Sequence, residues 1–258
     1  MEFECIAANL RESFRVVAAH RSGGAVQEMD GVSIAAAGVT FQMFNAAFLS
    51  SPVVSESQLD LRVAQAAVYF AARGERWAYW ICNDWLEGRT RRRLQALLRK
   101  RNLYQAVELP GMLADEVAPP VRKPPRMELR RVSEGPVKEA FCAIGATCFN
   151  VPLAWFCEVF DSHTVWQDFA AYVGYVEGEP VSTAATVIGG SAVGVYNVAT
   201  LPGHRCGGYG ETVMRYALEQ ARREHGLTRT ILQSTPQGFE LYQRMGYRTV
   251  TSVAVFCS

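Results

Sequence analysis

Apolar and polar positions along the chain fall into two successive series with the same order. In the first, extended apolar runs between Gly31 and Phe48 give way to a helical-period stretch over Leu59 to Arg73. A short apolar run, Trp77 to Asn83, a second helical stretch, Thr90 to Lys100, and a closing run, Leu103 to Glu108, complete it. The second series repeats the plan with extended segments in Phe169 to Thr200, a helix over Gly210 to His225, a strand at Thr230 to Ser234, a helix over Gly238 to Met245 and a last strand from Tyr247 to Phe256. Apolar residues recurring every three to four positions mark helix and short apolar or alternating runs mark strand, so the pattern predicts an α/β (α+β) protein whose fold is duplicated.

The helix over 210–225 is the best specified. Val213, Met214, Ala217, Leu218 and Ala221 share one face, Glu211–Arg215 and Glu219–Arg223 pair at i,i+4 on the other, and Gly226 supplies a stop. Thr235 is predicted to cap the following helix, with Pro236 in its first turn and Gly246 as its left-handed terminator, which places Tyr242 one turn before the end. Between the two series lies Ala118-Pro-Pro-Val-Arg-Lys-Pro-Pro125, four prolines that suit neither a helix interior nor a sheet ladder. The expected division is therefore a first domain over 1–117, a linker over 118–125 and a second domain over 126–258.

A length of 258 residues allows one large or two small cores, and a formal charge of +1 with pI ≈ 7.6 gives no electrostatic ground for a nucleic-acid or membrane partner. The basic run Arg89, Arg91, Arg92, Arg93, Arg99, Lys100, Arg101 reads as the solvated face of a helix. Seven cysteines form no Cys-x-x-Cys pair and four histidines show no ligand spacing, so neither a disulfide framework nor a metal site is expected. Without a basic leader or a bilayer-length apolar run, the default compartment is the cytoplasm.

The chemistry concentrates in Arg205-Cys206-Gly207-Gly208-Tyr209-Gly210, set between a strand-like run and the amphipathic helix. The first backbone N–H groups of a helix lack partners and carry the positive end of its dipole, and glycines let an anion approach the main chain with φ > 0 available. Arg205 offers a charge-assisted contact to a phosphate. A Walker loop requires Lys-Ser/Thr after its second glycine, where Tyr209 and Gly210 stand; a dinucleotide fingerprint requires Gly or Ala at Val213 and an acid about 20 residues on, near Leu227 to Thr230. Neither fits.

Arg205, Gly208 and Gly210 do fit Arg/Gln-x-x-Gly-x-Gly/Ala after a strand, and the chain resembles the GCN5-related N-acetyltransferase (GNAT) superfamily there. The flanks agree, from Val195-Tyr-Asn-Val-Ala-Thr200 to Leu241-Tyr-Gln-Arg-Met-Gly-Tyr247, which looks like the closing Tyr-x-x-x-Gly-Phe/Tyr element, and the likeness covers about the last 130 residues. The resemblance implies two tandem GNAT-like domains, each a mixed, mostly antiparallel sheet flanked by helices, the first a degenerate copy. Its connection between Phe48 and Leu59 has no glycine and carries Glu56, so no cofactor is expected there, and the N-terminal half would be structural or substrate-side.

By the same resemblance the cofactor is acetyl-CoA, as acyl donor. Its carbonyl and pantetheine arm would meet the backbone of Val198, Ala199 and Thr200, and its diphosphate the segment Arg205, Cys206, Gly207, Gly208, Tyr209, Gly210, Glu211. An amine of a small molecule or peptide would attack the thioester in a ternary complex, and Tyr242 would protonate the leaving thiolate, a phenol near pKa 10 being protonated at neutral pH. The glutamate that many relatives use as base is missing: Tyr196 and Asn197 occupy that stretch. Glu158, Asp161 and His163 are candidates, and Trp155, Phe156, Phe160 and Trp166 read as core or as an acceptor pocket, with core favoured. Two other functions stay open, an acyl-CoA sensor without catalysis and an interaction module built on the N-terminal half, and so does association as a homodimer.

Overall fold

A computed structural model describes all 258 residues. The first half runs α1 (Glu2–Ala19), β1 (Ala25–Met29), β2 (Val32–Ala36), β3 (Asn45–Leu49), α2 (Glu56–Arg73), β4 (Ala78–Cys82), α3 (Gly88–Arg99) and β5 (Tyr104–Ala114). The second runs β6 (Glu128–Arg131), α4 (Pro136–Phe149), α5 (Leu153–Val159), β7 (Ala170–Val176), β8 (Glu179–Gly189), β9 (Ala192–Thr200), α6 (Tyr209–His225), β10 (Thr230–Gln233), α7 (Phe239–Arg244) and β11 (Arg248–Cys257).

Each half builds a run of antiparallel strands, β1 to β3 in the first and β6 to β9 in the second, and then crosses through a helix to a parallel strand, β3 to β4 through α2 and β9 to β10 through α6. The last strand of each half is handed to the other. One eleven-stranded sheet results, in the order β1-β2-β3-β4-β11-β5-β10-β9-β8-β7-β6, so β11 lies between β4 and β5, and β5 between β11 and β10. The proline-rich segment therefore joins two halves that share their central strands.

The sheet is covered on both faces, which is why β2, β3 and β4 are buried at every residue. Helices α2 and α3 bury Leu59, Phe70 and Leu98 against Ile34, Ile81 and Phe256, and α6 and α7 bury Met214, Leu218 and Tyr242 against Ala184, Val195 and Leu232. On the opposite face, Leu10 and Phe14 of α1 pack on Ala35, Trp80 and Val255, while α4 and α5 pack with Val17 of α1 on Ala185, Val187 and Ala199. The fully buried Val213, Met214 and Ala217, with Gly226 at φ +70, bear out the periodicity of α6.

Helix α1 ties the halves together. Buried Asn9 donates from Nδ2 to the carbonyls of Val187, Gly189 and Ala192 at 3.1, 2.9 and 3.0 Å and accepts from the Tyr196 hydroxyl at 2.6 Å. A Cβ at Gly194 would stand 1.8 Å from Asn9 Oδ1, so this approach requires glycine. Two boundaries differ from the sequence pattern. Helix α7 starts at Phe239 after Gly238, and Thr235 caps nothing: its carbonyl accepts from Gly238 N at 3.1 Å, closing a turn in which Pro236 is equally at home. Strand β5 continues to Ala114 because Pro110 and Gly111 hide its alternation, and the pairing with β11 shifts register beside them.

Candidate functional site

Strand β9 parts from β10 after two residue pairs, Val193↔Thr230 and Gly194↔Ile231. From Val195 to Thr200 its edge towards β10 has no ladder partner, and alternate amides and carbonyls of that stretch face the gap. A bulge assists the parting. Asn197 has φ +51, the register with β8 shifts between Thr183 and Ala185, and Thr183 Oγ1 donates to Asn197 O at 2.7 Å.

Beyond Thr200 the chain turns through Pro202–His204 into Arg205, Cys206 at φ +64, Gly207 and Gly208 at φ +84, then enters α6 at Tyr209. Gly208 is the cap residue, and no side chain caps the helix, so the first-turn amides of Tyr209, Gly210 and Glu211 are left to solvent or a ligand. Residues 205–208 are exposed. Gly210 is needed for a second reason: a Cβ there would lie 2.9 Å from Thr200 Oγ1, which itself meets Ser182 Oγ at 2.9 Å. Helix and strand end are thereby in direct contact.

Arg205 Nε donates to Thr200 O at 3.2 Å, a carbonyl that Cys148 Sγ of α4 also reaches at 3.3 Å. Burial pushes the Cys148 thiol up, with Arg205 pulling the other way. Glu211 is held by Arg215 at 2.8 Å, which turns its charge along the helix flank. Val198 and Tyr242 belong to the apolar cluster under α6, whereas Ala199 faces α4 and α5. Tyr242 is 7 % exposed, and burial alone raises its phenol to about 12. It is a firmly protonated donor and a weaker acid than a free tyrosine.

The structure thus brings Val198, Ala199, Thr200 and Arg205 to Glu211 to one end of the β9–α6 unit, with Tyr242 buried in the apolar cluster beneath α6. Of the base candidates, Glu158 Oε2 accepts from Thr40 N at 2.9 Å and Asp161 lies 3.8 Å from Lys138 Nζ, so both are engaged elsewhere. The Tyr196 hydroxyl is donated to Asn9, and burial raises its pKa strongly. Phe156, Phe160 and Trp166 are core; Trp155, 40 % exposed, stands 6.4 Å from Phe41 of the first half. Two cavities, of about 250 and 320 Å³, lie away from the turn, the first beside the C-terminal end of α6 and the second between α3 and β5. Cys148 and Pro125, whose Cδ would be 3.3 Å from a Cβ on Gly208, adjoin the turn without any signal in the sequence.

Residues 165–249, which contain the parted strand, the turn and α7, match the family model of the acetyltransferase (GNAT) domain. This part of the chain is a GNAT domain. No curated protein matches the sequence. Among solved structures, a GCN5-related N-acetyltransferase from Kribbella flavida superposes with TM-score 0.73 at 19% identity, covering 98% of this chain and 95% of that one. A functionally unknown conserved protein from Staphylococcus epidermidis gives 0.65 at 12% over 92% and 94%, and a GNAT-family protein from Novosphingobium aromaticivorans gives 0.60 at 13% over 98% and 97%. These likenesses show that the fold of the whole chain is shared with those structures. No helix is long and apolar enough to cross a membrane.

Proposed function

We propose that the C-terminal half binds acetyl-CoA and transfers its acetyl group to an amine, of a small molecule or a peptide, within a ternary complex. The observation that carries the proposal is the junction of an uncapped helix N-terminus, glycines at 208, where φ is +84, and at 210, where a Cβ would lie 2.9 Å from Thr200 Oγ1, and a strand edge without a partner next to it. The residues fit the donor. The amides from Tyr209 to Glu211 and the Arg205 guanidinium would receive the diphosphate, and the β9 edge from Val198 to Thr200 would hydrogen-bond the amide-bearing arm and the thioester carbonyl. When bound, acetyl-CoA supplies an activated acyl group with a thiol leaving group.

Tyr242 is the proton donor for the departing sulfur. Its buried phenol stays protonated through the whole assay range. No carboxylate stands on β9 to take the proton of the amine, and of the other candidates Glu158 and Asp161 are engaged while His163 is exposed and unpaired, so the acceptor enters as the neutral amine or loses its proton to water or to His163. The same vacancy favours a second function, acyl-CoA binding without transfer.

One experiment separates them. Purified protein is titrated with acetyl-CoA by calorimetry and assayed for free CoA release with amino acids, polyamines, aminoglycosides and peptides. Binding with release on an amine supports the transferase; binding without release across all four classes supports the sensor; absence of binding overturns both.

A further inference from the structure

The proline-rich segment is a fixed strap along the cofactor side of the molecule. It starts at Glu116, whose charge acts on Arg222 near the end of α6, and Ala118 N donates to Met245 O at 2.9 Å where α7 ends. It finishes at the other end of α6, with Pro125 over Gly208 and Met127 seated on Gly174 beside Val213. Prolines 119, 120, 124 and 125 stiffen what lies between these anchors.

The strap carries cations with no partner. Arg93, Arg101, Arg130, Arg215 and Arg229 each hold a carboxylate within 2.8 Å, whereas Arg122, Lys123 and Arg126, all exposed, hold none, and neither does Arg205 in the turn. Lys123 is two residues from Pro125, so its Cα lies within about 7 Å of the proline that covers the turn. The diphosphate accounts for Arg205 and the helix amides. Acetyl-CoA has a further charge, the 3′-phosphate on its ribose, at the end of the molecule that leaves the turn towards solvent.

Resting on the acetyl-CoA reading of the turn, we infer that Arg122 and Lys123 form the seat of this 3′-phosphate, so that the connection between the halves is part of the cofactor site. A dianion beside two unpaired cations gains charge-assisted contacts, and the stiff strap lowers the entropy of ordering them.

Calorimetry with acetyl-CoA and 3′-dephospho-acetyl-CoA at low salt tests the inference. The wild type is expected to favour acetyl-CoA by about tenfold, and Arg122→Ala/Lys123→Ala to lose that preference while its affinity for the dephospho form stays within about twofold. Both residues are exposed, so the fold is not at risk. No preference in the wild type, a preference that survives the double substitution, or an equal loss for both ligands overturns the seat while leaving the turn assignment standing. A wild type that binds neither ligand overturns the turn assignment itself.

Discussion

Helices α2 and α6 hold the same place in the two halves, each leading from the last strand of an antiparallel run to a parallel neighbour, and their first turns are built in opposite ways. At α2, Ser55 Oγ accepts from Gln58 N at 3.2 Å, Gln58 Oε1 accepts from Val54 N at 2.9 Å, and Glu56 is clamped by Arg93 at 2.7 Å. The chain before it folds back, Val53 N donating to Trp85 O at 2.8 Å and Arg62, 4 % exposed, donating to the carbonyls of Ser51 and Pro52. The Gln58 amide is taken by the Ser55 cap and the Glu56 carboxylate stands in the first turn, so an incoming anion meets a capped helix start and a like charge. At α6 a glycine replaces the capping side chain and the preceding strand keeps an open edge. One topology thus yields a closed helix start or a receptive one, according to whether side chains of the same chain satisfy the first-turn amides.

The largest expected effect breaks the separateness of the halves. Residues 126–258 expressed alone lose β4 and β5, which leaves β11 without either neighbour and β10 with a bare edge. The fragment is expected to be insoluble or to lack cooperative unfolding, and co-expression with 1–125 to restore both; a folded, acetyl-CoA-binding fragment would show the exchange to be dispensable. Next, Gly208→Val at φ +84, 3.3 Å from Pro125 Cδ, is expected to weaken acetyl-CoA binding in calorimetry by roughly 100-fold with native circular dichroism, because both main-chain geometry and access are lost.

Tyr242→Phe should lower kcat by about 10- to 100-fold with little change in KM for acetyl-CoA. Because burial raises its pKa to about 12, its proton is lost only as pH rises through that value, so kcat/KM should climb with deprotonation of the acceptor amine and show no descending limb below about pH 10. A fall near neutral pH would assign the acid role to another group. The smallest effect probes the closed side: Ser55→Ala should cost about 1 kcal/mol in urea unfolding and leave acetyl-CoA affinity unchanged.

What the sequence discloses follows the range of the forces involved. The turn, α6 and its ion pairs are legible because their determinants lie within twenty residues: glycines at 208 and 210, an apolar stripe and a stop at 226. The repeated order of elements is legible for the same reason. Helix α1 is not, because its defining contacts, from Asn9 to Val187 and Gly189, join residues almost 180 positions apart. Strand exchange is invisible too, since the apolar runs of β5 and β11 are compatible with either neighbour. The overlap of Pro125 with Gly208 and of Cys148 with Thr200 exists only once the chain has closed.

The crossed strands also govern how the protein is made. Strand β5 emerges from the ribosome in the first half of synthesis, and both of its neighbours, β10 and β11, lie more than a hundred residues downstream. At cellular elongation rates it waits roughly 10 seconds with two bare edges. Refolding should accordingly be slow, and a nascent chain paused before Thr230 is the form most in need of a chaperone.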